Sequence, residues 1–129
     1  PYSTFNDMQP YDRSEVHETY TYLAAKLNEL DIAYLHIGLN PDIDQKTIDA
    51  IRSNFDGTLI LNGGYTSETA ETALENGAAD IIAFGRNYLA NPDFEKRLDT
   101  DAVLNTIDFN TFYTADEKGY TDYPFLLNN

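Results

Sequence analysis

Two strand ends in this chain carry the residue types that hold an anion. Asn62-Gly63-Gly64-Tyr65 and Phe84-Gly85-Arg86 each place glycine directly after a short apolar run. Glycine has no Cβ, so its backbone N–H can approach a phosphate closely, and helix N-termini just beyond such turns add partial positive charge. Arg86 would add a charge-assisted bond to the same group. Taken singly, a turn of this kind needs only a structural explanation: Gly63 and Gly64 make a tight strand-to-helix connection, and Arg86 pairs with a surface carboxylate. Two in succession, one with an arginine on an otherwise acidic chain, favour the anion. Neither GxGxxG nor GxxxxGK[ST] occurs, so a dinucleotide-type loop is not indicated.

Other chemistries are weaker. His36 stands at the end of an apolar run, where barrel enzymes place reactive groups, but a single histidine without a second one nearby reads as a hydrogen-bonded core residue. His17 beside Glu18 reads as a surface residue of a helix. Asp42-Ile43-Asp44 hints at calcium, yet an EF-hand loop demands glycine at its sixth position and a terminal glutamate, where Thr47 and Ser53 stand. Thr66 and Ser67 have no base placed to activate them, and helix capping explains both. The carboxylates lie mostly on polar helix faces, so a glycosidase-like pair is not indicated. No metal site and no catalytic residue is assigned within the chain.

The elements that position the glycine turns follow from periodicity. Asp12 three residues before Glu15, with Ser14 competing as the cap, opens a helix whose Val16, Tyr20, Leu23, Ala24, Leu27 and Leu30 form one apolar stripe. Residues 32–37 read as a strand buried on both faces. Asp44 caps a second helix with Ile48, Ile51 and Phe55 inward, and 58–61 is the second strand. Thr66 or Ser67 caps a third helix through Ala70, Ala73 and Leu74, which Asn76-Gly77 stops. A third strand at 81–84 precedes short helices at 87–90 and 94–98. The rhythm is that of βα units building a parallel sheet. In eight-stranded barrels of such units a phosphate commonly sits after the seventh and eighth strands, near a short extra helix that 87–90 could supply. Residues 99–129 have little periodicity but many aromatics, and read as an ordered tail that needs a surface to lie on.

Composition bounds the rest. The 129 residues, 42% apolar with 10 Tyr and 7 Phe, suffice for one ordinary domain. A net charge of -14 repels phosphate backbones and anionic lipid, so neither nucleic acid nor membrane is expected as a partner. There is no cysteine, hence no disulfide or thiolate chemistry. No apolar run approaches the roughly 20 residues of a membrane span. The first residue is Pro1, and nothing ahead of the first helix reads as a starting strand, so the chain is expected to be a piece of something longer.

Three segments carry a specific resemblance. Asn62-Gly63-Gly64-Tyr65-Thr66, the run Ala83-Phe84-Gly85-Arg86-Asn87-Tyr88-Leu89-Ala90-Asn91-Pro92-Asp93, and Phe112-Tyr113 followed by Gly119-Tyr120-Thr121-Asp122-Tyr123-Pro124 resemble the C-terminal part of the Old Yellow Enzyme family. Ile32-Ala33-Tyr34-Leu35-His36 is similar to that family's sixth strand, while Gly38-Leu39-Asn40-Pro41 departs from the Glu-Pro many relatives carry. The resemblance implies an α/β fold, the portion of a TIM barrel from about strand six to strand eight, with residues 1–129 as a partial barrel domain and an aromatic-rich tail. It implies an FMN-dependent oxidoreductase that passes a hydride from NAD(P)H to activated alkenes, quinones or nitro compounds. Gly63, Gly64, Gly85 and Arg86 match the positions for the FMN phosphate, Phe112 a position beside the flavin, and Tyr113 one at the substrate pocket.

The same resemblance implies that the family's substrate-anchoring, proton-donating and flavin-tuning residues come from earlier strands and have no counterpart here. The isolated chain is therefore expected to be inactive, to associate with itself or with the missing barrel half, and, by family habit, to be cytoplasmic. The alternative is a non-enzymatic half-barrel that binds phosphate or assembles. A third reading, a doubly wound nucleotide domain, requires a reversal of strand order.

Overall fold

The computed structural model describes residues 13–40 and 43–126, with the backbone alone for Arg13 and Ser14. The predicted cap Asp12, the Ser14 side chain and the Pro41-Asp42 loop lie outside that description. Helix α1 (Arg13–Glu29) leads to strand β1 (Tyr34–Gly38), and α2 (Gln45–Asn54) to β2 (Thr58–Asn62). Helix α3 (Ser67–Glu75) leads to β3 (Ile81–Ala83), followed by short helices α4 (Arg86–Ala90) and α5 (Phe94–Asp99) and a single 3-10 turn at Phe109–Thr111. The predicted caps are found where carboxylate or hydroxyl can reach a free amide. Asp44 Oδ1 accepts the Thr47 N–H at 2.8 Å, and Thr66 rather than Ser67 caps α3 in a reciprocal box with Thr69.

The three strands pair in parallel in the order β1-β2-β3, with Leu35 opposite Leu59, Ile37 opposite Leu61, and Leu61 opposite Ile82. No reversal of strand order occurs among the described residues, so the doubly wound reading fails. Right-handed crossovers between strands added in one direction put α2 and α3 on the same side of the sheet, and α1 packs against α2. Beneath those helices Leu59 and Leu61 are fully buried with Ala24, Ile48, Ile51 and Phe55. Among the described residues no helix layer covers the opposite side, which corrects the expectation that 32–37 is buried on both faces. Along β1 exposure alternates residue by residue, and Tyr34 is 56% exposed. His36, read as a core residue, stands exposed on that open face in a row with Ile60 and Ile81.

Three further readings change. Leu30 falls beyond the end of α1 and is 70% exposed, and Leu74 on α3 is exposed as well. His17 is half-buried, its Nδ1 3.1 Å from Thr47 Oγ1, and so ties α1 to α2.

The aperiodic tail finds its surface on α4 and α5, and the attachment is polar. Buried Arg97 donates from Nε to Asp93 Oδ1 at 2.7 Å and from a second nitrogen to the Pro124 carbonyl at 3.0 Å. Asn105 donates its side-chain amide to the carbonyls of Ala90 and Pro124, each at 2.8 Å, and its backbone N–H to the buried Asn91 Oδ1 at 2.7 Å. The Leu126 N–H reaches Asp93 Oδ2 at 2.7 Å.

The hydrogen bond from Arg97, together with that from the Leu126 N–H, holds the Asp93 carboxyl below the usual carboxylate range. A carboxyl whose folded value is depressed contributes stability that is present above its unfolded value and lost as pH falls through the folded one. Hydrogen exchange is therefore expected to show the Leu126 amide protected at neutral pH and released in acid below the ordinary carboxylate range, with Asp93→Asn erasing that pH dependence.

Candidate functional site

Parallel pairing of Asn62 with Ala83 sets the ends of β2 and β3 level, so the Gly63-Gly64 turn and the Phe84-Gly85 turn lie side by side at the C-terminal edge of the sheet. The glycines there do different work. Gly63 has φ +123, and a Cβ on it would stand 2.5 Å from the Leu39 carbonyl oxygen, so the close approach of the β1 end requires glycine. The Leu39 N–H donates to the Asn62 carbonyl at 2.7 Å and fixes that approach. Gly64 also needs the left-handed conformation, φ +75, but nothing lies within 4 Å of where its Cβ would be. At Gly85 φ is ordinary and the Cβ position is equally open. Packing therefore accounts for Gly63, whereas the space above Gly64 and Gly85 is free for a ligand.

Arg86 begins α4 beside these turns and is exposed. Its guanidinium carbon lies 5.8 Å from the centroid of the Phe109 ring, and among the described residues it forms no ion pair with a carboxylate. The surface pairing that would have explained it blandly is absent there. The positive charge of the site belongs to this side chain. Helix α4 has only five residues and little dipole, and the first amides of α3 at Thr66 and Thr69 are taken by the capping box.

From Phe109 the aromatics continue outward. The Phe109 and Phe112 rings are 5.4 Å apart, and the Phe112 and Tyr113 rings 6.3 Å. Phe112 is half-buried, while Tyr113 is 96% exposed and holds φ at 62, an uncommon conformation for a bulky residue. The predicted residues thus form a ledge: glycine turns, then Arg86, then the aromatic run. It is open rather than enclosed. Two clefts among the described residues lie elsewhere, one of about 570 Å³ between α2 and α3 around Asp49, Arg52 and Thr69, the other of about 540 Å³ beside α1 and β1 around Tyr20, Leu35 and His36.

Sequence reasoning counted Phe109 among the tail aromatics without joining it to Arg86, and missed the anchors Asp93, Arg97 and Asn105. The signal available for the first pair was an Asp and an Arg four residues apart on a helix. Nothing local marks Asn105, whose partners are 14 to 19 residues away in the chain.

Comparison with known proteins gives a consistent picture. The family described as NADH:flavin oxidoreductase / NADH oxidase matches residues 3–105. A 12-oxophytodienoate reductase-like protein of Solanum lycopersicum is 46% identical over 107 residues, covering 82% of this chain and 30% of the relative. The 12-oxophytodienoate reductase 2 of Arabidopsis thaliana is 40% identical over 114 residues, covering 81% and 30%. Among solved structures, morphinone reductase superposes with a TM-score of 0.77 at 40% identity over 87% of this chain and 32% of its own. A variant of NCR from Zymomonas mobilis gives 0.81 at 38% identity over 98% and 41%. The chain thus spans about a third of the length of these relatives.

The different demands on the glycines predict a clean separation by urea unfolding. Gly63→Ala is expected to destabilise the chain by about 1–3 kcal/mol through its left-handed backbone and clash. Gly85→Ala is expected to change stability by no more than about 0.5–1 kcal/mol, since its conformation suits any residue.

Proposed function

Since the chain belongs to the NADH:flavin oxidoreductase / NADH oxidase family, we propose that it forms the cofactor-phosphate portion of an FMN-dependent oxidoreductase, its three strands matching about the sixth to eighth of a TIM barrel. The observation that carries this reading is the pairing of two open glycine turns with an arginine that no described carboxylate neutralises. FMN held there would supply the hydride chemistry of the complete enzyme, between NAD(P)H and an activated alkene, quinone or nitro compound. The residues of this chain fit its phosphate. Backbone N–H groups at Gly64 and Gly85 have room to donate to phosphate oxygens, and Gly63 lets the first turn approach β1 closely enough to stay out of the way. Arg86 supplies the cation, which matters on a chain of net charge -14 whose field otherwise repels a phosphate. Phe112 would border the flavin ring and Tyr113 the substrate.

No group in this segment is assigned to proton transfer or to anchoring of the substrate. The domain as a whole is read as a partial barrel whose remaining strands complete the site. In that arrangement this chain binds and orients the phosphate end and leaves the reaction to residues outside it.

Titrating flavin with the 129-residue chain is expected to change FMN fluorescence saturably and to leave riboflavin fluorescence unchanged. Arg86→Met is expected to weaken FMN binding on the order of ten- to a hundredfold, the worth of hydrogen bonds to a charged group. Equal binding of FMN and riboflavin would overturn the phosphate assignment.

A second reading, a self-assembling half-barrel without redox chemistry, draws on the open sheet face, where Tyr34 and Ile81 are 56% and 47% exposed. Apolar surface and unpaired strand edges of this kind favour association with another copy or with the missing barrel half. Light scattering is expected to find dimers or larger species as concentration rises, and a compact monomer throughout would contradict self-association.

A further inference from the structure

The segment 119–124 carries groups that the phosphate site leaves unused, and almost all of them grip the stretch between Asn105 and Tyr113. The Tyr123 hydroxyl accepts the Asp108 N–H at 3.0 Å, and the Tyr120 hydroxyl accepts the Tyr113 N–H at 2.8 Å. The Pro124 carbonyl receives both Asn105 and Arg97, and Asp122 accepts the Gly119 N–H at 2.7 Å, which closes the segment on itself. Gly119 has φ +81 and lies so close to buried Thr111 that a Cβ would stand 2.0 Å from its Oγ1. Between the two tyrosine contacts sits the 3-10 turn, capped by Asp108 Oδ1 accepting the Asn110 N–H at 3.0 Å. That turn carries Phe109, the ring against which the Arg86 guanidinium rests.

We infer that 119–124 is a splint whose Tyr120 and Tyr123 hydroxyls are positioning residues for Arg86: they fix both ends of the Phe109 turn and thereby hold the guanidinium beside the glycine turns. The inference rests on the reading of Gly64, Gly85 and Arg86 as the phosphate site. Two features make the hydroxyls, rather than the rings, the active parts. Each accepts a backbone N–H that has no helix or sheet partner, at a chain segment whose aperiodic sequence cannot set its own conformation. Both contacts are exposed, so losing one exchanges it for water at little cost to the fold while releasing the turn. An arginine left without its aromatic rest samples many rotamers, and binding a phosphate must then order it again.

The test is NMR on the whole chain, with inorganic phosphate as the probe. The Phe109 ring, 5.8 Å from the Arg86 guanidinium carbon, is expected to displace the Arg86 side-chain resonances by its ring current. In the double variant Tyr120→Phe, Tyr123→Phe those resonances are expected to move to values typical of a free arginine while Ile51, Leu59 and Leu61 in the core stay in place. Phosphate affinity is expected to fall by about two- to fivefold, the worth of an exposed cation–π contact. Phe109→Leu should do the same, and Phe109→Tyr, which keeps the ring face, should restore both readouts. Unmoved Arg86 resonances in the double variant overturn the splint whether or not phosphate binds. Displaced resonances in a chain that binds no phosphate keep the splint and overturn the phosphate reading. Should the core resonances collapse in the double variant and also in each single one, the hydroxyls hold the fold rather than the turn, and the inference fails.

Discussion

The pairing of β2 with β3 is the constraint on which the rest depends. Asp80 sets it, accepting the Leu59 N–H at 2.7 Å and the Arg52 guanidinium at 2.8 Å while donating its own N–H to the Leu59 carbonyl at 2.9 Å. Arg52 in turn holds the carbonyls of Phe55 and Gly57, so the end of α2, the start of β2 and the start of β3 are fastened at one point. A slip of one residue would carry Ile82 to the open face, out of the core beside Leu61, and would draw the two glycine turns out of line. The ledge of glycine turns is a consequence of register before it is a consequence of glycine.

From that register two kinds of holding diverge. The helical side of the sheet is held by burial, with Leu59 and Leu61 under Ile48, Ile51 and Phe55. The tail side is held by polar groups reaching backbone carbonyls and amides: Arg97 and Asn105 on Pro124, Asp93 on Leu126, Tyr123 on Asp108. Burial fixes the sheet and its turns rigidly, whereas the polar attachment can be weakened by acid or by removal of a single hydroxyl. The phosphate site we propose would have a fixed half, Gly64 and Gly85, and an adjustable half, Arg86 on Phe109.

Much of this was legible in the residues. The three strands, the caps at Asp44 and Thr66, the stop at Gly77 and the inward set Ile48, Ile51 and Phe55 all follow from local periodicity and capping chemistry, which act within a few residues. The glycine turns were legible because two of them follow successive apolar runs, one with an arginine on an otherwise acidic chain. What escaped depended on neighbours distant in sequence. The strand around His36 reads as buried on both faces because its run is nearly all apolar, yet among the described residues helices cover only one of them. His17 reads as a surface residue until α2 brings Thr47 to it. The tail reads as aperiodic because hydrogen bonds spanning 14 to 33 residues, rather than an apolar stripe, hold it.

The central claim, that adjacent glycine turns and Arg86 form a phosphate site within this chain, is tested most directly by following backbone amide resonances while inorganic phosphate is added. Saturable shifts centred on the amides of Gly64, Gly85 and Arg86 are the predicted result. Saturable shifts centred elsewhere, or none at any of the three, would contradict it.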